Sequence, residues 1–449
     1  MTGSIFFVLI SGRRAPATPA ETTSNSLPSN SEHGETAMIQ KSYAAYDTEE
    51  RLVKPYLLPD PLRNSDGTKV RTAQEWMNCR RPELLRLFQQ EEYGEILPRP
   101  DGISFHQLSL RDNALENTAI RKEIRLDFAS SNGNTHSVIL LLYLPKRVKG
   151  PVPAFLGLNF NGNHTTTDEP DVIRTGFRMP GQLVEEKRGS QSDCWCFREL
   201  IRRGYASATL CYHDLFPDVA GSISRSVFRL FLEEPEYDAL GKQYSVIGAW
   251  AWGLSRAMDF LETEPAVDHS KVMLHGHSRL GKTALWAGAI DRRFAMVIAN
   301  ESGCGGAALH KRKFGENLSQ HFDYHRDLGI PIWFVDACRK YIWKEEEMPF
   351  DQHELLALIA PRPLCIGTAT LDAAADPYGE FLSCVHASPV YELFGSRPFP
   401  GGKMIPPDTW ISGAIHFHSR SGDHDQTPWD WARYLDAADL HWKHSESGE

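Results

Sequence analysis

The chain has 449 residues, of which 41% are hydrophobic and 24% charged, and its formal net charge is −10. That length is ample for a large core, and an acidic balance without a basic cluster excludes a general nucleic-acid binder, which needs a positive face to displace counterions. No apolar run is long enough to span a bilayer as a helix, so no membrane partner is expected.

The apolar run "IFFVLI" near the start is shorter than a signal-peptide core, and Arg13 and Arg14 follow it instead of preceding it, so it does not read as an export signal. Residues 1–38, rich in Ser, Thr, Pro and Glu, read as a disordered leader, and residues 39–449 as a single domain. From residue 73 the spacing of Trp76, Leu84, Leu85, Leu87 and Phe88 predicts a helix. Strand-like runs follow from residues 103, 119 and 136. The run "VPAFLGLNF" (152–160) is nearly all apolar, as a strand covered on both faces must be. It ends in the polar loop "NFNGNH".

Strands and helices then alternate. "CFRELIRRG" predicts a helix and "YASATLCY" a strand; residues 245–264 predict a long helix with Ile247, Trp250, Ala251, Leu254, Met258 and Leu261 on one face. Next come strand "KVMLH", helix "KTALWAGAI", strand "FAMVIANE" and an insertion over about 302–350. Helix "HELLALIA", strand "PLCIGTATLD", helix "YGEFLSCVHA" and a terminal helix "PWDWARYLDAADLHW" complete the pattern. Such alternation builds a mainly parallel sheet with helices on both faces. The earlier strands make the sheet mixed, so the expected class is α/β, a three-layer α/β-hydrolase sandwich.

Eight cysteines, at 79, 194, 196, 211, 304, 338, 365 and 384, read mostly as free, buried thiols, because Cys194-x-Cys196 lacks the companion ligands of a zinc site.

The stretch "VMLHGHSRLGKTALWAG" can be read as two different turns. Gly276 with Gly281-Lys282-Thr283 satisfies the G-x-x-x-x-G-K-[ST] phosphate loop, and "IWFVD" ending at Asp336 would be its magnesium acid. Gly276-His277-Ser278 also begins a G-x-S-x-G nucleophile elbow, with the second glycine one residue late. The remaining chain favours the elbow. Serine is a weak nucleophile until a base takes its proton, and a carboxylate must orient that base. Glu301 and Asp372 end later strands, and His424 lies in the loop before the terminal helix, in the order Ser, acid, His of this fold. Ser278 is therefore the expected nucleophile and His424 the expected base, chosen over His416, His418, His441 and His444 for its Gly-Asp-His-Asp setting.

The chain further resembles carbohydrate esterase family 15, the glucuronoyl esterases, in "GHSRLGKTALWAG", "NESGCGGAAL", "FGENL", "DQHELLALIAPRP", "ADPYGEFL" and "GDHDQTPWDW". The likeness runs through most of residues 70–445 and accounts for the late glycine. It implies a serine esterase acting on esters of glucuronate or 4-O-methyl-glucuronate, such as lignin–glucuronoxylan links, with no metal or cofactor. It also implies a monomer exported to the exterior or periplasm. It assigns the acid to Glu301, with Asp372 as support or substitute. Arg279 shares the oxyanion hole, and Lys282 and Glu316 bind the sugar, though either could instead be a solvated surface charge. Two positions depart from the family. Ala374 stands where a sugar-lining tryptophan is common, which leaves an esterase on acetylated polysaccharide as an alternative. His277 replaces the disulfide-forming cysteine of fungal members. A catalytically silent carbohydrate binder is the remaining reading.

Overall fold

In the computed structural model, residues 47–176, 186–219, 221–233, 239–328 and 333–442 are described. The expected leader lies outside them. Ten strands make one sheet: β1 Gly102–Asn113, β2 Ala119–Ala129, β3 Thr135–Pro145, β4 Val152–Asn159, β5 Ala206–Cys211, β6 Val267–His277, β7 Met296–Asn300, β8 Leu364–Ala369, β9 Thr409–Ile411 and β10 Ile415–Arg420. Their order is β1-β2-β3-β5-β4-β6-β7-β8-β10-β9. β1 to β3 form an antiparallel meander that joins β5 antiparallel, whereas β5, β4, β6, β7, β8 and β10 are parallel. This is the mixed, mainly parallel sheet that the alternating pattern predicts.

The principal helices are α1 Arg81–Phe88, α2 Phe197–Arg202, α3 Val246–Leu261, α4 Arg279–Ile290, α5 Leu318–Leu328, α6 Gln352–Ala357, α7 Pro377–Glu392 and α8 Pro428–Trp442. The helix expected from residue 73 continues into α1 and beyond it, with wide i+5 turns at Trp76–Arg80 and Gln89–Tyr93. Pro82 has no N–H and would press on the carbonyl four residues back; a widened turn just ahead of it relieves that contact. In α3 the expected single apolar face is corrected: all sixteen residues are buried. Polar atoms inside it are matched, since the indoles of Trp250 and Trp252 donate to the carbonyls of Phe216 and Pro98 at 3.0 and 2.8 Å. Burial extends to its polar positions Ser255, Arg256 and Asp259, which an apolar stripe read from periodicity assigns to solvent.

Two strands, β9 and β10, have no counterpart among the predicted elements. In β10, Ile415, Phe417 and Ser419 alternate with His416, His418 and Arg420, yet all six residues are buried. Asp430 of α8 makes this affordable: it accepts hydrogen bonds from His418 Nε2 at 2.8 Å and Arg420 Nε at 3.0 Å. The insertion likewise contains α5, which was not predicted. All eight cysteines are free; five are buried and Cys79 is exposed.

The parallel strands end at one edge of the sheet. Asn159, His277, Asn300, Ala369 and Arg420 close β4, β6, β7, β8 and β10 there. The loops that follow them converge at the carboxyl ends of the strands, where open α/β sheets build their sites.

Candidate active site

Ser278 sits between β6 and α4 with φ 56° and ψ −129°, a backbone region costly for any residue with a side chain. Its N–H donates to the carbonyl of Asn300 at 2.9 Å, which ties the turn to β7. The turn is very tight. A Cβ at position 276 would lie 2.0 Å from the carbonyl oxygen of Leu280, so only glycine fits. At position 281 a Cβ would meet Ser302 Cβ at 3.0 Å and the Gly276 carbonyl oxygen at 3.2 Å, which explains the late glycine. A phosphate loop must open around its ligand; here α4 folds straight back onto Gly276, and Lys282 is turned to a carbonyl and a carboxylate instead. The phosphate-loop spelling is therefore accidental.

His424 faces this serine's strand from the loop after β10, and its Nδ1 points at two carboxylates. Asp372 Oδ2 is 2.6 Å away and Glu301 Oε2 3.2 Å. The shorter bond thus belongs to the residue expected as support. Glu301 is shared more widely: its Oε1 accepts from Arg420 Nη2 at 2.8 Å and its Oε2 from the N–H of Asp425 at 2.9 Å. Arg420 also donates to the carbonyls of Asp423 and Asp425, bracketing the loop that presents His424. Because Nδ1 is spent on carboxylates, the imidazole keeps Nε2 for a substrate or serine proton.

Burial alone would depress the His424 pKa, but the hydrogen bonds and charges of Asp372 and Glu301 outweigh it and raise it to about 10. Glu301 is itself pushed up, chiefly by burial and further by the Asp372 charge. His277, whose ring centroid is 4.5 Å from that of His424, is held well below its ordinary value by burial and by the neighbouring His424 charge.

His277, Glu301 and His424 also place potential ligand atoms within 4.8 Å of one another. The donor set is already committed, however. Tyr434 donates its hydroxyl proton to Asn300 Oδ1, so the Asn300 amide nitrogen must be the group at 2.9 Å that donates to His277 Nδ1. With Nδ1 accepting that bond, neutral His277 carries its proton on Nε2 and offers a metal no free lone pair, so the three residues do not present a ready metal centre.

On the other side of Ser278, Arg279 pairs with Asp218 Oδ2 at 2.5 Å and its guanidinium carbon lies 4.6 Å from the centre of the Trp333 ring. Trp333 donates from Nε1 to the other Asp218 oxygen at 3.0 Å. Lys282 is 3% exposed, donates to the Ser302 carbonyl at 2.6 Å and stands 3.7 Å from Glu316 Oε2. It is not a solvated surface charge. Glu316 is also 3.4 Å from His321 Nε2; burial would raise its pKa, but Lys282 and His321 hold it at about 2. Ala374 is half-buried, and its carbonyl accepts the Glu316 N–H at 2.8 Å.

Ser278, Arg279, Glu301, Asp372 and His424 thus follow strands at one sheet edge, and Lys282 and Glu316 adjoin them through Ser302. Asp218, Trp333 and Arg420 went unnoticed. Trp333 lay inside the pattern tested as a magnesium acid, and Arg420 lay in a strand that was not predicted; Asp218 carried no local signal at all.

Comparison with known proteins agrees with this geometry. The family described as "Glucuronyl esterase, fungi" matches residues 235–395. A carbohydrate esterase, MZ0003, from an unknown prokaryotic organism is 40% identical over 409 residues, covering 88% of this chain and 92% of that relative. A 4-O-methyl-glucuronoyl methylesterase of Phanerochaete carnosa is 29% identical over 75% of this chain and 72% of its own. The solved glucuronoyl esterase of Solibacter usitatus is 38% identical and superposes with a TM-score of 0.81, over 87% of this chain and all of that one. The chain belongs to carbohydrate esterase family 15, the glucuronoyl esterases.

Proposed function

We propose that this protein is a serine esterase that hydrolyses esters of glucuronic acid or its 4-O-methyl ether, including those joining glucuronoxylan to lignin alcohols. The observation that carries the reading is the His424 imidazole held on two carboxylates, 4.5 Å from the ring of His277, which precedes the serine of a strained elbow. The relatives' names supply the substrate class.

His424 Nε2 takes the Ser278 proton as Oγ attacks the ester carbonyl. The carbonyl oxygen gains negative charge, which Arg279 and backbone N–H groups at the start of α4 stabilise; one such donor is worth ~3 kcal/mol in other hydrolases. Arg279 is restrained beforehand by Asp218 and Trp333, so little reorganisation is needed as charge develops. The tetrahedral adduct collapses, His424 gives its proton to the departing alcohol, and an acyl-enzyme remains. Water enters, loses a proton to His424 and attacks the acyl carbon, which releases glucuronate and restores the Ser278 hydroxyl. Asp372 makes the main hydrogen bond to the imidazolium and Glu301 adds a second negative charge. Lys282 and Glu316 bind sugar hydroxyls. The enzyme works as an exported monomer.

Hydrolysis of benzyl glucuronate and of p-nitrophenyl acetate by wild type and Ser278→Ala tests this. Uronate turnover that falls ~10⁴-fold or more in the variant is the expected result. Serine-dependent turnover of acetate alone would favour the acetyl-polysaccharide reading, for which the half-buried Ala374 is the specific cause. No serine-dependent turnover on either ester would leave a binding protein.

A further inference from the structure

Behind the site lies a carboxyl group that the mechanism does not use. Glu380, in the first turn of α7, is completely buried. Its Oε1 accepts hydrogen bonds from Ser302 Oγ at 2.9 Å and from the N–H of Gly303 at 2.8 Å. Its Oε2 is buried with no hydrogen-bond partner. Burial and the charges of Asp372 and Glu301, both of its own sign, weigh against its ionised form. An ionised carboxylate there would be desolvated, half-unbonded and repelled by its neighbours, so the protonated state costs less.

The turn it holds joins the two halves of the site. Glu301 has φ 49° and Gly303 φ 59°, so the chain doubles back through left-handed backbone. Glu301 carries the carboxylate that meets His424, while the next carbonyl, of Ser302, receives Lys282 Nζ at 2.6 Å. Ser302 Oγ, having donated to Glu380, accepts the N–H of Ala307 at 2.9 Å.

We propose that Glu380 is a neutral carboxylic acid and a positioning residue, which through Ser302 and Gly303 sets Glu301 against His424 and Lys282 against the sugar. This rests on the roles proposed above for those three side chains. The test uses the full chain and both esters. Glu380→Gln, a neutral group able to accept the same two hydrogen bonds, keeps uronate kcat/KM within about threefold and leaves its pH profile unmoved. Glu380→Ala loses about tenfold or more, with kcat lowered on both esters and KM raised on the uronate alone. If Glu380→Ala does not fold, Ser302→Ala breaks the same link from its other end and shows the same kcat and KM split. Unchanged kinetics in the alanine variants, or a glutamine variant as damaged as Glu380→Ala, overturns the proposal. The wild-type minus Glu380→Gln infrared difference at pH 7 shows a carboxylic-acid carbonyl band; a carboxylate pair instead overturns the neutral state. That band does not depend on catalysis, whereas uronate turnover surviving in Ser278→Ala would fell the catalytic reading alone.

Discussion

Two clusters of ionisable side chains flank Ser278 and carry opposite balances. On the His424 side, one imidazole faces two carboxylates, Asp372 and Glu301. On the sugar side, one carboxylate, Glu316, lies between Lys282 and His321. The same interaction therefore acts in opposite directions: excess negative charge holds a proton on His424, and excess positive charge keeps one off Glu316. In the proposed mechanism, the group that shuttles protons thus sits where its charged form is favoured and its orientation fixed, and the group assigned to sugar hydroxyls is held as an anion.

The largest effect comes from dismantling the acidic half. Asp372→Asn should lower kcat by ~10³- to 10⁴-fold, because an amide at 2.6 Å from Nδ1 favours the wrong tautomer. Glu301→Gln should cost roughly 10- to 100-fold, and the double variant should lose no less than Asp372→Asn. If the two single losses come out reversed, Glu301 is the principal acid and the shorter bond misled us.

On the sugar side, Lys282→Met should raise KM for benzyl glucuronate about tenfold, ~1.4 kcal/mol, and leave p-nitrophenyl acetate untouched. An equal loss on both esters would make Lys282 part of the framework.

The proton balance gives a smaller, signed effect. The base must be neutral to act, so the acid limb of kcat/KM follows the His424 pKa, which is raised toward about 10 in the free enzyme. Removing one negative charge destabilises the imidazolium, so Glu301→Gln should move that limb to lower pH by roughly one unit. A limb that stays or rises would show that Asp372 alone sets the base.

The smallest effect is on stability, where the two clusters act in different pH windows. His424 is raised on folding, so its contribution is complete below its ordinary value of 6.5 and fades as pH rises toward about 10. Glu316 is depressed, so its contribution is present above its ordinary value of 4.5 and is lost as pH falls toward about 2. Glu316→Gln should therefore destabilise by about 1–3 kcal/mol in denaturant titrations at pH 7, and by less at pH 3. An equal penalty at both values would mean that packing, not charge, is lost.

Much of this was legible in the chain. Apolar runs of strand length, alternating with amphipathic helices, specify a parallel sheet because each must bury its hydrophobic face against the other. The elbow was legible because close backbone approach at Gly276 and Gly281 admits no side chain. Order and places at strand ends singled out Ser278, His424 and both acids, and the structure brings the two acids onto His424.

What stayed hidden shares one physical cause: partners that belong to different elements and meet only on folding. β10 looks like a half-polar strand until Asp430, on the terminal helix, folds back to cover His418 and Arg420. Asp218 and Trp333, 115 residues apart, come together only to hold Arg279. The order of Asp372 and Glu301 around His424, and the burial of Lys282, are likewise distances and surroundings that no local pattern encodes. Local sequence determined which elements form and which residues reach the sheet edge, because steric and hydrophobic periodicity act over a few residues. Only tertiary structure decided which charges meet there, because Coulomb and desolvation energies depend on separation in space.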